Sequence, residues 1–257
     1  MKLEDRLVTL QKQNPKLAVL DALRRLRAAS VAEQEVNSLP FARKNGRHAN
    51  FLAELELESW YPALAAKFCG AVAAAGIEND ALREIRKNKS LVLELGRAIT
   101  QNSVGTLDST AKNFKIDRAL LLFVFETPLI PAFKEIALKN KNALPKEGKC
   151  PVCGRPLSLG VYKDRKRYLL CKLCGARYHV DLFWCPKCGN RDAGKLGFIF
   201  LEDEPEFRID YCFLCNTYIK AADEDIIGAV DDPLLFDIAT LDLDALAREK
   251  KLNLPGE

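Results

Sequence analysis

Cys150-Pro151-Val152-Cys153-Gly154 opens a stretch that closes with Tyr211-Cys212-Phe213-Leu214-Cys215-Asn216. Between them lie Cys171-Lys172-Leu173-Cys174-Gly175 and Trp184-Cys185-Pro186-Lys187-Cys188-Gly189. Each Cys-x-x-Cys pair is half of a metal knuckle, a tight turn that aims two thiolates at one point. A tetrahedral site takes four such ligands. Cys150, Cys153, Cys171, Cys174, Cys185, Cys188, Cys212 and Cys215 therefore make two sites. Four thiolates around a divalent ion leave a formal charge of about −2 per site, so two sites would cancel the chain's formal +4. The residue after each pair is Gly154, Gly175, Gly189 and Asn216. A knuckle calls for φ > 0 just past its second cysteine, which glycine adopts freely and Asn tolerates better than most. Pro151 and Pro186 stiffen two of the turns through their fixed φ.

Loop length sets the expected pairing. Cys153 to Cys171 leaves 17 residues and Cys188 to Cys212 leaves 23, each enough for a short β-hairpin with a knuckle at both ends. Pairing first with second and third with fourth closes the shortest loops at least entropy. A cross-brace stays open, because Cys174 and Cys185 are only ten residues apart.

Working outward, Leu157 to Val161 and Arg167 to Leu170 read as the arms of a first hairpin, turning around Lys163-Asp164-Arg165-Lys166. Lys195 to Leu201 and Phe207 to Tyr211 read as the second, turning at the acidic Glu202-Asp203-Glu204-Pro205-Glu206. Tyr178 to Trp184 alternates like a strand, and Thr217 to Lys220 leaves the last knuckle as another. His179 is expected to be structural or to support a ligand, since eight cysteines already complete two tetrahedra. Phe183 and Trp184, beside Cys185, are expected to shield its metal from water.

Upstream, the pattern is helical. Asn14-Pro15 is a start signal for a helix to about Leu39, ended by Leu39-Pro40. Phe41 to Asn50 reads as a basic loop holding His48, where a lone His usually meets only solvent. Phe51 to Ala75 gives one or two helices closing at Gly76, and Cys69 within them reads as a buried thiol acting as a small hydrophobe. Asn79-Asp80 caps a helix running to about Asn102, and Gly105 to Ser109 reads as turn material. Ile116 to Phe125 is apolar on nearly every face, as a helix central to a bundle is. Pro128 and Pro131 interrupt it, and the polar Lys139 to Lys149 forms a boundary. After Asp231-Asp232-Pro233 a last helix is expected over roughly Leu234 to Lys251.

These readings give an α+β chain. An all-helical N-terminal domain (1–148) precedes a first rubredoxin-like or zinc-ribbon module (149–182), then a second with a C-terminal helix (183–257). At 48% hydrophobic residues the chain can bury a sizeable core. Its start lacks the apolar run of a signal peptide, and Ala119 to Phe125 is too short to span a bilayer, so a cytoplasmic protein without membrane insertion is expected. Residues 1–149 carry 24 Lys and Arg against 17 Asp and Glu, and residues 150–257 carry 15 against 18. The basic half is not the metal half, which counts against nucleic acid as a partner. No phosphate loop, nucleophile elbow or His-Glu-x-x-His site is present, so no catalytic residue is assigned and no enzyme is expected.

The ordered run from Cys150-Pro151-Val152-Cys153-Gly154 through Tyr178-His179-Val180 to Cys212-Phe213-Leu214-Cys215-Asn216-Thr217-Tyr218-Ile219-Lys220 resembles the formate dehydrogenase accessory (formation) protein family, FdhE. The resemblance covers about residues 150 to 220, with Asn216 standing where glycine is commoner. It implies a cytoplasmic maturation factor that binds the catalytic subunit of a formate dehydrogenase, a molybdenum or tungsten enzyme, and aids its assembly. It implies rubredoxin-like sites holding two metal ions through the eight cysteines, iron first and zinc as the alternative, especially in recombinant protein. It does not locate the partner-binding surface. A homodimer is left open. Two competing readings are a zinc-ribbon nucleic-acid binder and a Cys-x-x-Cys thiol oxidoreductase. The first is disfavoured by the acidic turn. The second needs a free sulfur of lowered pKa, which knuckles closed by Gly or Asn do not offer.

Overall fold

The computed structural model describes residues 2–36, 52, 55–77, 79–140, 145 and 147–255. His48, its basic loop and the Leu39-Pro40 helix end lie outside the described residues. The chain divides into two compact units, residues 22–136 and residues 1–21 with 137–257. The fold class is α+β, as the sequence indicates.

In chain order the helices begin with α1 (Leu3–Gln13), α2 (Leu17–Val36), α3 (Tyr61–Ala74), α4 (Asp80–Ile85) and α5 (Lys89–Thr100). They continue with α6 (Val104–Asn113), α7 (Arg118–Glu126) and α8 (Ile130–Lys139). Asn79, Asn88 and Asp117 cap α4, α5 and α7 by accepting hydrogen bonds from the N–H groups of Leu82, Leu91 and Leu120. The Asn88 cap splits what the sequence presents as one helix to Asn102. Gly105 does not break the chain there either: α6 runs through it, because Leu107, Thr110 and Ala111 bury one face.

The core of the 22–136 unit centres on Tyr61, Phe68, Val72, Leu95, Leu121, Val124 and Phe125. Tyr61 is fully buried, and its hydroxyl donates to the Phe125 carbonyl at 2.8 Å. Its ring lies flat on Gly96 of α5, where a Cβ would come within 2.5 Å of the Tyr61 Cε1 atom. Alanine normally favours a helix over glycine by about 1 kcal/mol. Forcing a hydrogen-bonded, buried ring aside costs about 1–3 kcal/mol, so strain prevails. Gly96→Ala is expected to lower the urea midpoint; a raised midpoint would show that the ring moves freely.

In the other unit six strands form one sheet of order β3-β2-β1-β6-β5-β4. They are β1 (Leu159–Lys163), β2 (Lys166–Leu170), β3 (Arg177–Val180), β4 (Leu196–Phe200), β5 (Phe207–Cys212) and β6 (Thr217–Asp223). Each half is a three-stranded meander with a knuckle at the start of the hairpin and another at its end. The halves are joined by β1 and β6, the sheet's one parallel pair, in which Leu159 faces Lys220 and Val161 faces Ala222. The first turn is a two-residue hairpin with Asp164 and Arg165 both at positive φ (+49° and +60°), the conformation that matches strand twist. One sheet face buries Leu159, Val161, Phe207, Ile209 and Tyr218 against Leu3 and Leu7 of α1 and against the C-terminal helices α10 (Pro233–Ala239) and α11 (Leu241–Glu249). A short helix α9 (Glu224–Ile227) follows β6. The expected single last helix is broken at Thr240, whose hydroxyl donates to the Phe236 carbonyl.

α1 is tied to this unit by a buried arginine. The Arg6 guanidinium is within hydrogen-bond reach of Glu204 (2.7 Å) and Asp242 (2.6 Å), donates to the Ala239 carbonyl, and lies over the Phe207 ring. The acidic turn after β4 is thus partly committed to an internal cation.

Candidate metal centres

Three of the four knuckles fold through two short backbone bonds, while the fourth sits in the hairpin turn between β5 and β6, where Cys212 pairs with Thr217. Cys150 N–H donates to the Arg155 carbonyl and Gly154 N–H returns to the Cys150 carbonyl, at 2.8 and 2.9 Å. The same pair recurs at Cys171 with Ala176 and Gly175, and at Cys185 with Asn190 and Gly189. The closing residues Gly154, Gly175, Gly189 and Asn216 all have positive φ, from +52° to +74°. With the backbone curled this way, both sulfurs of a pair project to the same side.

The eight sulfurs converge in two groups, Cys150, Cys153, Cys171 and Cys174, and Cys185, Cys188, Cys212 and Cys215. Within each group the sulfurs all lie within 4.8 Å of one another. The pairing is consecutive, not a cross-brace. Cross-knuckle separations are 3.6 Å (Cys150 to Cys174), 3.3 Å (Cys153 to Cys171), 3.6 Å (Cys185 to Cys215) and 3.7 Å (Cys188 to Cys212). Metal–sulfur bonds of about 2.3 Å in a tetrahedron give sulfur–sulfur edges of about 3.8 Å. A disulfide would need about 2.05 Å. The spacing fits four thiolates around one ion.

Burial separates the two centres. All four sulfur residues of the first are at most 2% exposed, whereas Cys188 is exposed and Cys215 half-buried. Hydrogen bonding from Cys153, Cys171 and Cys174, with Tyr178 adding to it, holds the Cys150 thiol far below its usual range. Hydrogen bonding to Cys150 pushes Cys153 and Cys174 up. In the second centre burial pushes Cys185 up. At Cys215 desolvation works against the thiolate, but hydrogen bonding from Thr217, with Cys185 and Cys188 adding to it, brings the thiol to about 7. Without a cation each group therefore mixes thiolate with thiol. Four thiolates coexist only around positive charge, so metal uptake releases protons and weakens as pH falls.

Strand periodicity places the supporting groups. On β3, Tyr178 points inward and its hydroxyl lies 3.1 Å from the Cys150 sulfur, while His179 points outward and packs against the Tyr168 ring. The supporting role expected of His179 thus belongs to Tyr178, one residue away and on the opposite face of the pleat. At the second centre Asn190 Nδ2 approaches the Cys212 sulfur at 3.8 Å. Nothing in the residue types marked Asn190; alternation along Arg177 to Val180 was the available signal for Tyr178.

Trp184 and Phe183 do lie by the second centre. With Tyr162, Arg167, Phe198 and Arg208 they line a cavity of about 240 Å³ that Cys185 and Cys212 also border. Phe183 is 58% exposed, so it covers the opening only in part. Asp210 anchors the cavity floor, accepting from the Tyr162 hydroxyl at 2.6 Å and from Arg208 Nε at 2.8 Å. Cys69, in the other unit, is buried, and burial outweighs nearby Arg86 to push its thiol up to about 11, as suits an inert side chain. No described helix is long and apolar enough to cross a membrane.

Comparison with known proteins adds the following. No protein-family model matches the chain. It is 35% identical over 110 residues to an FdhE homolog of Stutzerimonas stutzeri, covering 40% of this chain and 35% of that protein. It is 34% identical over 107 residues to an FdhE homolog of Aquifex aeolicus, covering 39% and 37%. An FdhE homolog of Erwinia tasmaniensis matches at 28% over 167 residues, covering 64% and 52%. The matches thus span about a third to a half of these curated relatives. The crystal structure of the FdhE protein from Pseudomonas aeruginosa aligns over 99% of this chain and 93% of that one, with a TM-score of 0.64 at 20% identity, a likeness of fold. The resemblance to the FdhE family is shown in sequence by these relatives.

Proposed function

We propose, from this chain's place among the FdhE proteins, that it is a cytoplasmic accessory factor that binds the catalytic subunit of a formate dehydrogenase and aids its assembly, and is not itself a catalyst. The observation that carries the reading is the convergence of eight cysteines into two four-sulfur groups with tetrahedral spacing. Cys150, Cys153, Cys171 and Cys174 would hold one ion, and Cys185, Cys188, Cys212 and Cys215 a second. An all-sulfur tetrahedron suits iron or zinc, and iron would supply one-electron chemistry where zinc supplies only structure. The resemblance favours iron, with zinc the alternative, especially in recombinant protein. The more buried first centre is suited to holding the sheet, and the half-exposed second centre to meeting a partner.

The test is capture. Anaerobically purified, metal-loaded protein should retain the catalytic subunit of a formate dehydrogenase from the same cell extract, and should carry about two ions per chain. Failure to retain that subunit in an extract that contains it, with both ions present, would end the proposal. Fewer than two ions per chain would remove the metal half of it.

A further inference from the structure

The two edges of the sheet are built differently. The β3 edge reads Arg-Tyr-His-Val, and Arg177 is tied back to Glu224 and lies over Tyr168. Charge of this kind protects an edge from adding strands. The β4 edge reads Leu-Gly-Phe-Ile-Phe, with no charge and no proline. Phe198 is 59% exposed and Phe200 44%, with rings 5.1 Å apart on the same side. An apolar edge strand left in this state is a template for another strand.

The ladder fixes which groups are offered. Phe213 N–H donates to the Lys195 carbonyl and Leu201 N–H to the Phe207 carbonyl, so residues 195, 197, 199 and 201 direct their backbone groups toward β5. Leu196, Phe198 and Phe200 therefore direct theirs to the open edge. Just outside the strand stand exposed Lys195 at its start and exposed Asp203 past its end.

We propose that two copies of this chain pair through β4, antiparallel about a two-fold axis at Ile199, extending the sheet across both subunits. In that register Phe198 opposes Phe200 of the second copy and the reverse, and each Lys195, at the start of its strand, comes beside the turn over residues 201–204 of the other copy, which carries the exposed Asp203. The two phenylalanine pairs supply about four main-chain hydrogen bonds, all from groups the β5 ladder leaves open. Opposed side chains share a face, so aromatic meets aromatic within the strands, and the Lys and Asp pairs flank them at the two ends. A slip that sets Phe198 against Phe198 offers about six such bonds, from Leu196, Phe198 and Phe200, but moves Lys195 opposite Leu201 and away from Asp203, losing both ion pairs. A slip of one residue would oppose side chains on different faces. Charge and pleat together select a second copy of this chain as occupant in one register.

Sedimentation velocity of the metal-loaded protein over roughly 1–100 µM should show a monomer–dimer equilibrium. Phe198→Glu, at an exposed position beside Arg208, should raise the dissociation constant at least about ten-fold with an unchanged far-UV spectrum. Lys195→Glu should weaken the dimer, and Lys195→Glu with Asp203→Lys should restore it. The Phe198 and Phe200 amides should exchange more slowly as protein concentration rises. A monomer throughout, a dimer indifferent to Phe198→Glu, or a reversed pair that fails to rescue overturns the proposal. Protection of β4 that appears only when a formate dehydrogenase catalytic subunit is added overturns it too, and assigns the edge to that protein.

Discussion

Exhaustive chelation of the metal-loaded protein is expected to unfold the sheet in two steps and to leave the helices of residues 22–136 folded. Structural zinc in small all-ligand sites contributes apparent binding energies of about 10–16 kcal/mol. A whole domain is stable by only about 5–15 kcal/mol. Losing both ions therefore removes more stability than the strands and their helices have in surplus. The order follows from burial. Cys188 is exposed and Cys215 half-buried, so a chelator or thiol reagent reaches the second centre first, while the first lies behind fully buried sulfurs and the Tyr178 hydroxyl. Hydrogen exchange read by mass spectrometry should show β4 to β6 losing protection first and β1 to β3 later. The two tryptophans give an optical check, since Trp184 adjoins Cys185 and Trp60 is buried in the 22–136 unit. With Trp184 replaced by Phe, the remaining emission should not change during the first step. If metal-free protein keeps native protection in β1 to β6, the centres are not what holds this sheet.

Much of this was legible from local chemistry. Gly or Asn after each second cysteine predicts the positive φ found at residues 154, 175, 189 and 216, and loop length predicts consecutive pairing. Lys163 to Lys166 announces a tight hairpin. What was not legible depends on distant residues. The β1–β6 pairing that makes one sheet from two modules is parallel, needs no turn, and leaves no mark on either strand beyond burial. Nor does Arg6 advertise itself. A basic residue in an amphipathic first helix looks like any solvated one, and only the fold brings Glu204 and Asp242 to it. Thr240 and Asn88 are ordinary helix residues until a side chain caps or competes with the backbone. The acidic turn was visible, but its use of Glu204 to hold an internal arginine was not.

Lys220→Met is the second change expected to have a large effect, and its pH dependence identifies the cause. Lys220 is on β6 between β1 and β5 and is wholly buried. Its ammonium is 2.7 Å from Asp237 of α10 and 2.8 Å from Asp244 of α11, and donates to the Asp237 carbonyl as well. Asp244 also accepts from the Tyr218 hydroxyl. Burial works against the Asp237 charge, but Lys220, helped by Lys172, more than compensates and holds its carboxyl below the usual carboxylate range. A carboxyl depressed in the folded state favours folding above its unfolded pKa, near 3.8, and loses that contribution as pH falls through the folded value. Methionine keeps the apolar volume but leaves two carboxylates without their buried cation, Asp237 keeping only the exposed Lys172. Breaking such a pair from one side costs about 3–5 kcal/mol. In the variant the depressing charge is gone and burial dominates, so Asp237 titrates upward and the protonated form becomes the one that folds. The deficit relative to the parent should be largest near neutral pH and shrink toward about pH 4, in urea titrations run side by side so that acid weakening of the thiolate centres cancels. Adding Asp237→Asn and Asp244→Asn to Lys220→Met should recover most of the loss at neutral pH, because nothing charged is then buried alone. A deficit that is flat with pH, or that the asparagines do not relieve, would mean that Lys220 acts through packing of its methylenes and not through its charge.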